Sequence, residues 1–220
     1  KEVRLLGLKL DPRKVVTIHK GHKLEWYQEQ AADLAEFGIP EDAMVVTIAS
    51  RMRPRKGLME LVHALGLTDP QKNIHVLMLG HSGNEELRSA IAELPHPDRV
   101  HLGGYRQDAP NIMAASDVCC LPVLHGEGLS RMVIEGMAYG IVPLVTPVSG
   151  NVELVIHQQC GLVVPVGDEQ ALADAMEWLY DHPEERRRLG EAARERIGRH
   201  FRSEDTVRKT LALYEEIMAE

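Results

Sequence analysis

The feature of this chain that most constrains its fold is the repeated alternation of short apolar runs with longer amphipathic stretches. Five of the runs are nearly continuous in hydrophobic residues, as strands are when both faces of a parallel sheet are covered. These runs span residues 45–49, 74–79, 118–121, 142–145 and 161–164. Because helix-like segments lie between them, the order predicts βα units with right-handed crossovers, and therefore a doubly wound, Rossmann-like parallel sheet of the α/β class.

The amphipathic segments predict helices both within and beyond this core. Five lie between or beside the runs, at 57–66, 84–94, 109–116, 129–139 and 151–157. Three more follow with no strand between them, at 168–180, 183–200 and 203–218. Asp168 and Ser203 are suitable N-caps, because their side chains can accept a hydrogen bond from a free N–H group of the first turn. A further strand at 15–18 and a helix at 25–37 are predicted before the core.

The chain is long enough, at 220 residues of which 44% are hydrophobic, to bury one substantial core. The predicted elements divide it into a linker or strand region at 1–24, a Rossmann-like domain at 25–200 and a C-terminal helix at 201–220. Neither an internal repeat nor a low-complexity segment interrupts this organisation.

Charge and residue spacing argue against several classes of protein. The formal net charge is −8, and a surface of that sign repels nucleic-acid backbones. No apolar run approaches the roughly 18 residues of a membrane span, and residues 1–10 lack the pattern of a signal peptide. The three cysteines and eleven histidines show no spacing typical of a metal site. Cys119 and Cys120 are adjacent in an apolar run, which predicts buried free thiols and suits a reducing cytosol.

Ligands of open α/β sheets bind at the carboxyl ends of the strands, near the point where the strand order reverses. Directly after 45–49 comes a loop with four cations in six positions, Arg51, Arg53, Arg55 and Lys56. Beside the first turn of the following helix, such a cluster suits a phosphate or diphosphate. A solvated basic loop is the alternative, and charge alone does not choose between the two.

The loop after 118–121 carries two acidic candidates. Glu127 lies in a glycine-flanked turn, where its carboxylate could receive sugar hydroxyls while the N–H groups of Leu129 and Ser130 receive phosphate oxygens. Glu135 lies one to two turns further along, among apolar neighbours, where an acid without a partner is costly. The alternative makes Glu127 an acid that stabilises the helix dipole and Glu135 a surface residue, but it leaves those apolar neighbours unexplained.

Two further loops add small residues at the same edge of the predicted sheet. Gly80-His81-Ser82-Gly83 follows 74–79 and allows the backbone to approach a ligand closely. The segment 146–153 opens another helix after 142–145. Four loops with ligand-binding chemistry are therefore expected to meet at one edge.

Four motifs together resemble the retaining glycosyltransferases of family four. They are Arg51…Lys56-Gly57, Glu127 and Glu135 with seven residues between them, Met137-Ala138-Tyr139-Gly140 followed by Pro143, and Ser149-Gly150-x-x-Glu153. The resemblance runs from about residue 15 to the C-terminus. It implies the GT-B fold, in which two Rossmann-like halves face each other across a cleft, and it covers only the C-terminal half, which binds the nucleotide-sugar donor.

The resemblance also implies a role for each matching residue. Arg51 and Lys56 would bind the donor diphosphate and stabilise it as the leaving group, and Glu127 would hold the donor sugar. Glu135 would accept hydrogen bonds from the ribose hydroxyls. The other donor-binding contacts fall on Gly80, Tyr105, Arg106, Gly128, Leu129 and Ser130. Neither a metal nor another cofactor is expected, because side-chain cations and a helix terminus supply the positive charge.

The implied function is transfer of a hexosyl unit from a nucleotide-diphosphate sugar to a glycan or lipid-linked acceptor, with retention of configuration. The run Glu127-Gly128-Leu129-Ser130, followed by Arg131, is similar to that of members that build surface polysaccharides from UDP-sugars. The acceptor half is absent from this chain, so the chain alone is expected to be inactive. The expected location is the cytoplasm, compatible with peripheral association at the cytoplasmic membrane face. A non-catalytic nucleotide-sugar-binding module and a GT-B-fold epimerase stay open as alternatives.

Overall fold

The computed structural model describes residues 4–5, 8–9, 14–28, 30–81 and 85–219, and a six-stranded parallel sheet forms its centre. Near the start of the chain, β1 (Arg4–Leu5) and β2 (Leu8–Lys9) form a separate antiparallel pair. The strands of the central sheet are β3 (Met44–Ala49), β4 (Ile74–Leu79), β5 (Val100–Gly104), β6 (Val118–Leu121), β7 (Val142–Val145) and β8 (Leu162–Val163). Every residue of β4, β6 and β7 is buried, as expected of strands covered on both faces.

The strands lie side by side in the order β5-β4-β3-β6-β7-β8. From β3 the chain moves outward through β4 and β5, returns to the other side of β3 as β6, and continues to β7 and β8. The predicted doubly wound, Rossmann-like parallel sheet is confirmed. Because the order reverses between β3 and β6, the crevice at the carboxyl ends of these two strands is the expected place for a ligand.

The described part of the chain contains eight helices. They are α1 (Leu58–Leu67), α2 (Glu85–Ala92), α3 (Ala109–Ala114), α4 (Arg131–Tyr139), α5 (Asn151–Leu154), α6 (Glu169–Asp181), α7 (Pro183–His200) and α8 (Ser203–Ala219). All eight were predicted, although α5 is shorter than expected. Asp168 caps α6 by accepting a hydrogen bond from the backbone N–H of Ala171 at 2.9 Å.

Two predictions before the core are wrong. Residues 15–18 form no strand, and the helix predicted over 25–37 is replaced by two short 3₁₀ turns, Leu24–Trp26 and Leu34–Phe37. The Asp33 side chain accepts from the backbone N–H of Ala35 and starts the second turn separately. Ala32, Leu34 and Phe37 of this segment pack on a small apolar cluster formed by β3, β4 and α3 instead of forming one helical face. Tertiary packing therefore overrides the helical pattern.

The edge strand β5 was not predicted. It has only two apolar side chains, Val100 and Leu102, and carries His101 between them. The His101 ring stacks on that of His75 in the neighbouring strand β4, and Nε2 of His101 lies 2.8 Å from Nδ1 of His75. The hydrogen-bonded histidine pair satisfies polar groups that a buried position would otherwise leave unpaired. Pattern reading misses such a strand because its burial depends on a partner 26 residues away.

The first and last predicted parts of the chain contact each other. The backbone N–H of His22 donates to the carbonyl of Phe201 at 2.7 Å, and Phe201 is buried in the main core. Gly21 permits this approach, because a Cβ there would lie 2.0 Å from the carbonyl oxygen of Arg202. The three-part division of the chain stays a prediction. Among the described helices, none combines the length and the apolarity that crossing a membrane requires.

Candidate functional site

The loops that follow β3 and β6 are held together at the switch point of the sheet. Gly57, with φ of 76°, ends the first loop, and a Cβ at this position would lie 2.0 Å from the carbonyl oxygen of Pro122. The backbone N–H of Leu124 donates to the carbonyl of Arg55 at 2.9 Å. Only glycine allows both the left-handed backbone and the close approach. The basic loop and the acidic loop are therefore fixed against each other.

This contact joins two of the predicted catalytic residues in an ion pair. Nζ of Lys56 lies 2.6 Å from Oε2 of Glu127, and both side chains are largely buried. Nη1 of Arg55 lies 3.3 Å from the same carboxylate oxygen and donates to the carbonyl of Gly126 at 2.7 Å. The cation predicted for the diphosphate and the acid predicted for the sugar thus occupy one site.

A cleft of about 270 Å³ opens beside this ion pair. Five cations and one carboxylate line it, with Ser130 and Met132 at the start of α4. Such an excess of positive charge next to a helix N-terminus favours an anionic ligand. The charged residues of the lining are Arg51, Arg53, Arg55, Lys56, Arg131 and Glu127.

The loop after β7 supports the acidic loop from its other side. A Cβ on Gly150 would lie 2.2 Å from the carbonyl oxygen of Gly128, and the N–H of Gly150 approaches the carbonyl of Glu127 at 3.4 Å. Glu153, the last residue of the same motif, instead bonds Nε2 of His19 at 2.6 Å. Within this motif, Gly150 is therefore the residue that shapes the cleft.

Glu135 lies on α4, one turn after Arg131. Its Oε1 accepts from Nε of Arg131 at 2.7 Å, and this hydrogen bond raises the pKa of the arginine. The Glu135 side chain is 19% exposed, whereas that of Arg131 is 81% exposed. Glu135 is thus mostly buried. It does not line the cleft itself, is joined to it through Arg131, and is not part of the Lys56–Glu127 pair.

A second cavity, of about 530 Å³, adjoins the first across Ser50 and Arg51, which line both. Its wall is mostly apolar and includes Gly80, His81 and Tyr105. The rings of His81 and Tyr105 lie 5.1 Å apart, and Tyr105 is 67% exposed. A planar aromatic ligand suits such a wall. Ser82 and Gly83, the other predicted residues of this loop, lie outside the described residues.

Arg106 lines the second cavity, but its guanidinium is fully engaged by protein carboxylates. It donates to Asp108 at 2.6 and 2.7 Å and to both oxygens of Glu36 at 2.9 and 3.0 Å. The hydrogen bond from Arg106 holds the pKa of Asp108 below its usual value. Arg106 also lies over the ring of Phe37. Its contribution to the cavity is therefore to fix the wall, while its charge is already compensated.

The family of the chain follows from a comparison of its sequence with protein-family models. Residues 29–196 match the model described as glycosyl transferases group 1. The chain belongs to this family.

A glycosyltransferase of similar sequence agrees with this assignment, and solved glycosyltransferase structures share the fold. The chain is 33% identical, over 94% of its length, to D-inositol 3-phosphate glycosyltransferase of Saccharomonospora viridis. A glycosyltransferase from Rickettsia africae shares the fold with a TM-score of 0.86, 24% identity and coverage of 96% of this chain and 59% of that one. Anabaena Alr3699/HepE, solved with UDP-glucose, shares it with a TM-score of 0.82 and 23% identity, covering 90% of this chain and 57% of that one.

The chain spans about half the length of the relatives it matches, for example 51% of the Saccharomonospora enzyme. By contrast, it covers 99% of a separately solved C-terminal domain of a group 1 protein from Francisella tularensis, with 83% of this chain aligned, a TM-score of 0.72 and 17% identity. The fold described here is therefore shared with a glycosyltransferase domain whose crystal structure was solved without the rest of its protein.

Sequence reasoning did not assign a role to three residues that line the cleft of this glycosyl transferase chain. Arg53, Arg55 and Arg131 complete its positive charge. The sequence shows Arg53 and Arg55 as members of the basic run but does not tell them apart. The contact between the two loops does, because it brings Arg55, and not Arg53, within hydrogen-bonding distance of Glu127.

Among the described residues, no three His, Cys, Asp or Glu side chains come together as metal ligands. Cys119 and Cys120 are buried away from the cleft, and burial raises the pKa of Cys119 to about 12.

Proposed function

We propose that this chain binds a nucleotide-diphosphate sugar, with a UDP-sugar as the first candidate, and is the donor half of a retaining hexosyltransferase. The observation that carries the proposal is the Lys56–Glu127 contact inside a cationic cleft that adjoins an apolar cavity across Arg51. A sugar, a diphosphate and a planar base would each find a matching surface there. The surfaces follow one another in the order in which these groups are joined in a nucleotide-sugar.

Of the three groups of the donor, the diphosphate has the best-supported binding site. Arg51 is exposed, forms no ion pair with the described residues, and lines both cavities, so its guanidinium is available to an anion placed between them. Lys56 lies within the first cavity, and the backbone of Gly128, Leu129 and Ser130 leads into the N-terminus of α4. Cations and helix N–H groups stabilise charge that develops on a departing phosphate.

The proposed reaction breaks the bond between the sugar C1 and the diphosphate oxygen and forms a bond between C1 and an acceptor hydroxyl oxygen on the same face. The proton of that hydroxyl passes to the departing phosphate oxygen. Arg51 and Lys56 would stabilise the negative charge left on the diphosphate, and Glu127 would hold the sugar hydroxyls. We expect no metal, because the cations of the cleft supply the charge stabilisation that a metal would otherwise provide.

The ribose and the base of the nucleoside would contact the remaining candidate residues. Glu135, sheltered beside the cleft on α4, would accept hydrogen bonds from the ribose hydroxyls. The base would lie in the apolar cavity against Gly80 and Tyr105, with Arg106 holding the wall in place. The solved complex of Anabaena HepE with UDP-glucose supports a UDP-sugar as the first ligand to test.

The acceptor would be a glycan or a lipid-linked saccharide, bound mainly by a second domain that faces this cleft. The names of the matched relatives support a small or lipid-linked hydroxyl acceptor as a class, since they include D-inositol 3-phosphate glycosyltransferase and a diphosphoundecaprenol galactosyltransferase. A cytoplasmic location, at or near the inner membrane face, fits both the donor and such acceptors. The two alternatives open from sequence, a binding module and an epimerase, are not favoured by the family match.

Calorimetric titration of this chain with UDP, GDP, UDP-glucose and GDP-mannose tests the proposal. The wild type should bind at least one nucleotide and its sugar, and Arg51→Ala and Lys56→Ala should each weaken nucleotide binding about tenfold or more, because a charge-assisted contact is worth roughly 1.5–3 kcal/mol. Arg187→Ala is the matched control, since Arg187 lies on α7 and its ion-pair partner among the described residues is Glu184 on the same helix.

Equal affinities for the wild type and all three variants would remove the phosphate assignment. Failure of the wild type to bind any of the four compounds would remove the proposed function itself.

A further inference from the structure

We propose that Arg55 is a positioning residue for the donor sugar, which keeps Glu127 in place while Lys56 is occupied by the diphosphate. The inference rests on the proposed function and deepens it. It concerns the one cation of the basic loop that is bonded to the backbone of the acidic loop as well as to its carboxylate.

Arg55 is attached to the acidic loop at both of its ends. Its backbone carbonyl accepts from the N–H of Leu124 at 2.9 Å. At the far end of the side chain, Nη1 lies 2.7 Å from the carbonyl oxygen of Gly126, 3.4 Å from that of His125 and 3.3 Å from Oε2 of Glu127. One side chain thus spans the segment that presents the carboxylate.

The tip of the acidic loop, at Gly126 and Glu127, needs such a restraint because the other contacts of this loop lie to either side of it, at Val123, which accepts from Oγ1 of Thr146, and at Gly128, which packs against Gly150. Residues 122–130 form neither helix nor strand. Gly126 has φ of 65°, and no atom lies within 4 Å of a Cβ placed on Gly126 or on Gly128. Glu127 is therefore flanked by two glycines, which have no side chain to anchor the backbone beside it. Besides Arg55 and Lys56, Gly150 contacts Glu127 through a long hydrogen bond, in which the N–H of Gly150 donates to the Glu127 carbonyl at 3.4 Å.

The two cations differ in what they can do when a donor arrives. Both reach the same oxygen of Glu127, Lys56 at 2.6 Å and Arg55 at 3.3 Å. A diphosphate in the cleft competes for Lys56, which then leaves the carboxylate. Arg55 stays, because its hydrogen bonds to the loop backbone do not involve the ligand. It therefore preserves both the charge and the direction of Glu127 at the moment when the sugar must be recognised.

Removing Arg55 should consequently affect the sugar more than the nucleotide. The test compares the wild type, Arg55→Gln and the control Arg187→Gln by calorimetry, with UDP against UDP-glucose and GDP against GDP-mannose. We expect Arg55→Gln to change the affinity for the free nucleotide by less than about threefold. The preference for the nucleotide-sugar over its nucleotide should fall by about fivefold or more, because a charge-assisted contact is lost. Arg187→Gln should change neither.

A double-mutant cycle shows whether Arg55 acts through Glu127. In a Glu127→Gln background, Arg55→Gln should have almost no further effect on the preference, because the group it positions is already gone. The same loss of preference in both backgrounds would overturn the proposal, and so would an unchanged preference in Arg55→Gln alone. Arg55→Lys, which retains the charge, enters the same cycle if Arg55→Gln does not melt cooperatively.

The outcomes separate this inference from the proposed function. A wild type that binds none of the four compounds overturns both. A wild type that binds and prefers a nucleotide-sugar, together with an Arg55→Gln variant of unchanged preference, overturns only the role of Arg55.

Discussion

Under the proposed function, Glu127 would have a different partner in each of two states of one site. In the absence of a donor its carboxylate compensates Lys56, so the buried ammonium group is not left unpaired. In the proposed donor complex, the diphosphate would replace Glu127 as the partner of Lys56, and the Glu127 carboxylate would be released toward the sugar. The residue types and the eight-residue spacing of Glu127 and Glu135 were accessible from the sequence. The contact with Lys56, 71 residues away, was not, because it depends on the approach of two loops.

Substitution of each glutamate separates its role in binding from a role in folding. Glu127→Gln removes the charge that holds Lys56, so UDP affinity should stay equal or rise, while the preference for UDP-glucose over UDP falls. Glu135→Gln should weaken UDP binding by about fivefold, since a neutral amide is a poorer acceptor for ribose hydroxyls. Because the Arg131 partner of Glu135 is exposed, loss of that ion pair should change stability little.

Calorimetry and thermal unfolding of both glutamate variants check these expectations. Equal losses of melting temperature with unchanged ligand preference would mean that both glutamates are structural, and would remove most of the site.

At the scale of elements, prediction succeeded where local pattern and burial agree. β3, β4, β6 and β7 were recognised because nearly all of their residues are apolar, and α6 and α7 because Asp168 and Pro183 mark their starts. Prediction failed for β5, whose His101 needs the ring of His75, and for 25–37, whose apolar residues pack onto neighbouring strands. In both places the decisive partner is distant in sequence.

The last two helices differ sharply in how they are packed, and a matched pair of substitutions measures the difference. Leu189 on α7 is fully buried, whereas Leu211 on α8 is 55% exposed and α8 buries none of its described side chains. Leu189→Ala should lower the free energy of unfolding by about 2–5 kcal/mol, because it leaves a cavity. Leu211→Ala should lower it by less than about 0.5 kcal/mol. Urea unfolding of both variants measures these free energies, and similar losses of stability in the two variants would contradict the exposed position of α8.

At the scale of the whole molecule, the position of the site follows from topology. A sequence that yields βα units already implies a crevice at the switch point, and the order of strands places that crevice between the loops after β3 and β6. The chemistry of those loops was visible as charge and glycine content. Which cation meets which carboxylate was not visible, as the occupied guanidinium of Arg106 illustrates, since its partner Glu36 comes from a segment predicted to be helical.

Three histidines give the folded molecule a common response to acid. Burial lowers the pKa of His22, His75 and His101 below the usual value of 6.5. For His75, the neighbouring His101 and Arg99 act in the same direction, whereas Asp98 and Asp42 oppose them. The unfolded chain therefore binds protons more readily than the folded protein as the pH falls below 6.5.

The sign of the pH dependence follows from this difference in proton binding. Stability from the neutral histidines is fully present above pH 6.5 and is lost as the pH falls from there through the lower pKa values of the folded state. The melting temperature of the wild type should thus decrease as the pH is lowered from about 7.5 to about 5.5.

Replacing both members of the stacked pair, by His75→Gln with His101→Gln, removes two of the three histidines whose pKa is lowered. The double variant should melt at a lower temperature throughout, yet with a shallower dependence on pH. Because the slope is compared and not the absolute stability, the lost packing of the pair does not obscure the result. Scanning calorimetry across this range provides the measurement, and an equal slope in the double variant would show that other groups govern the acid response.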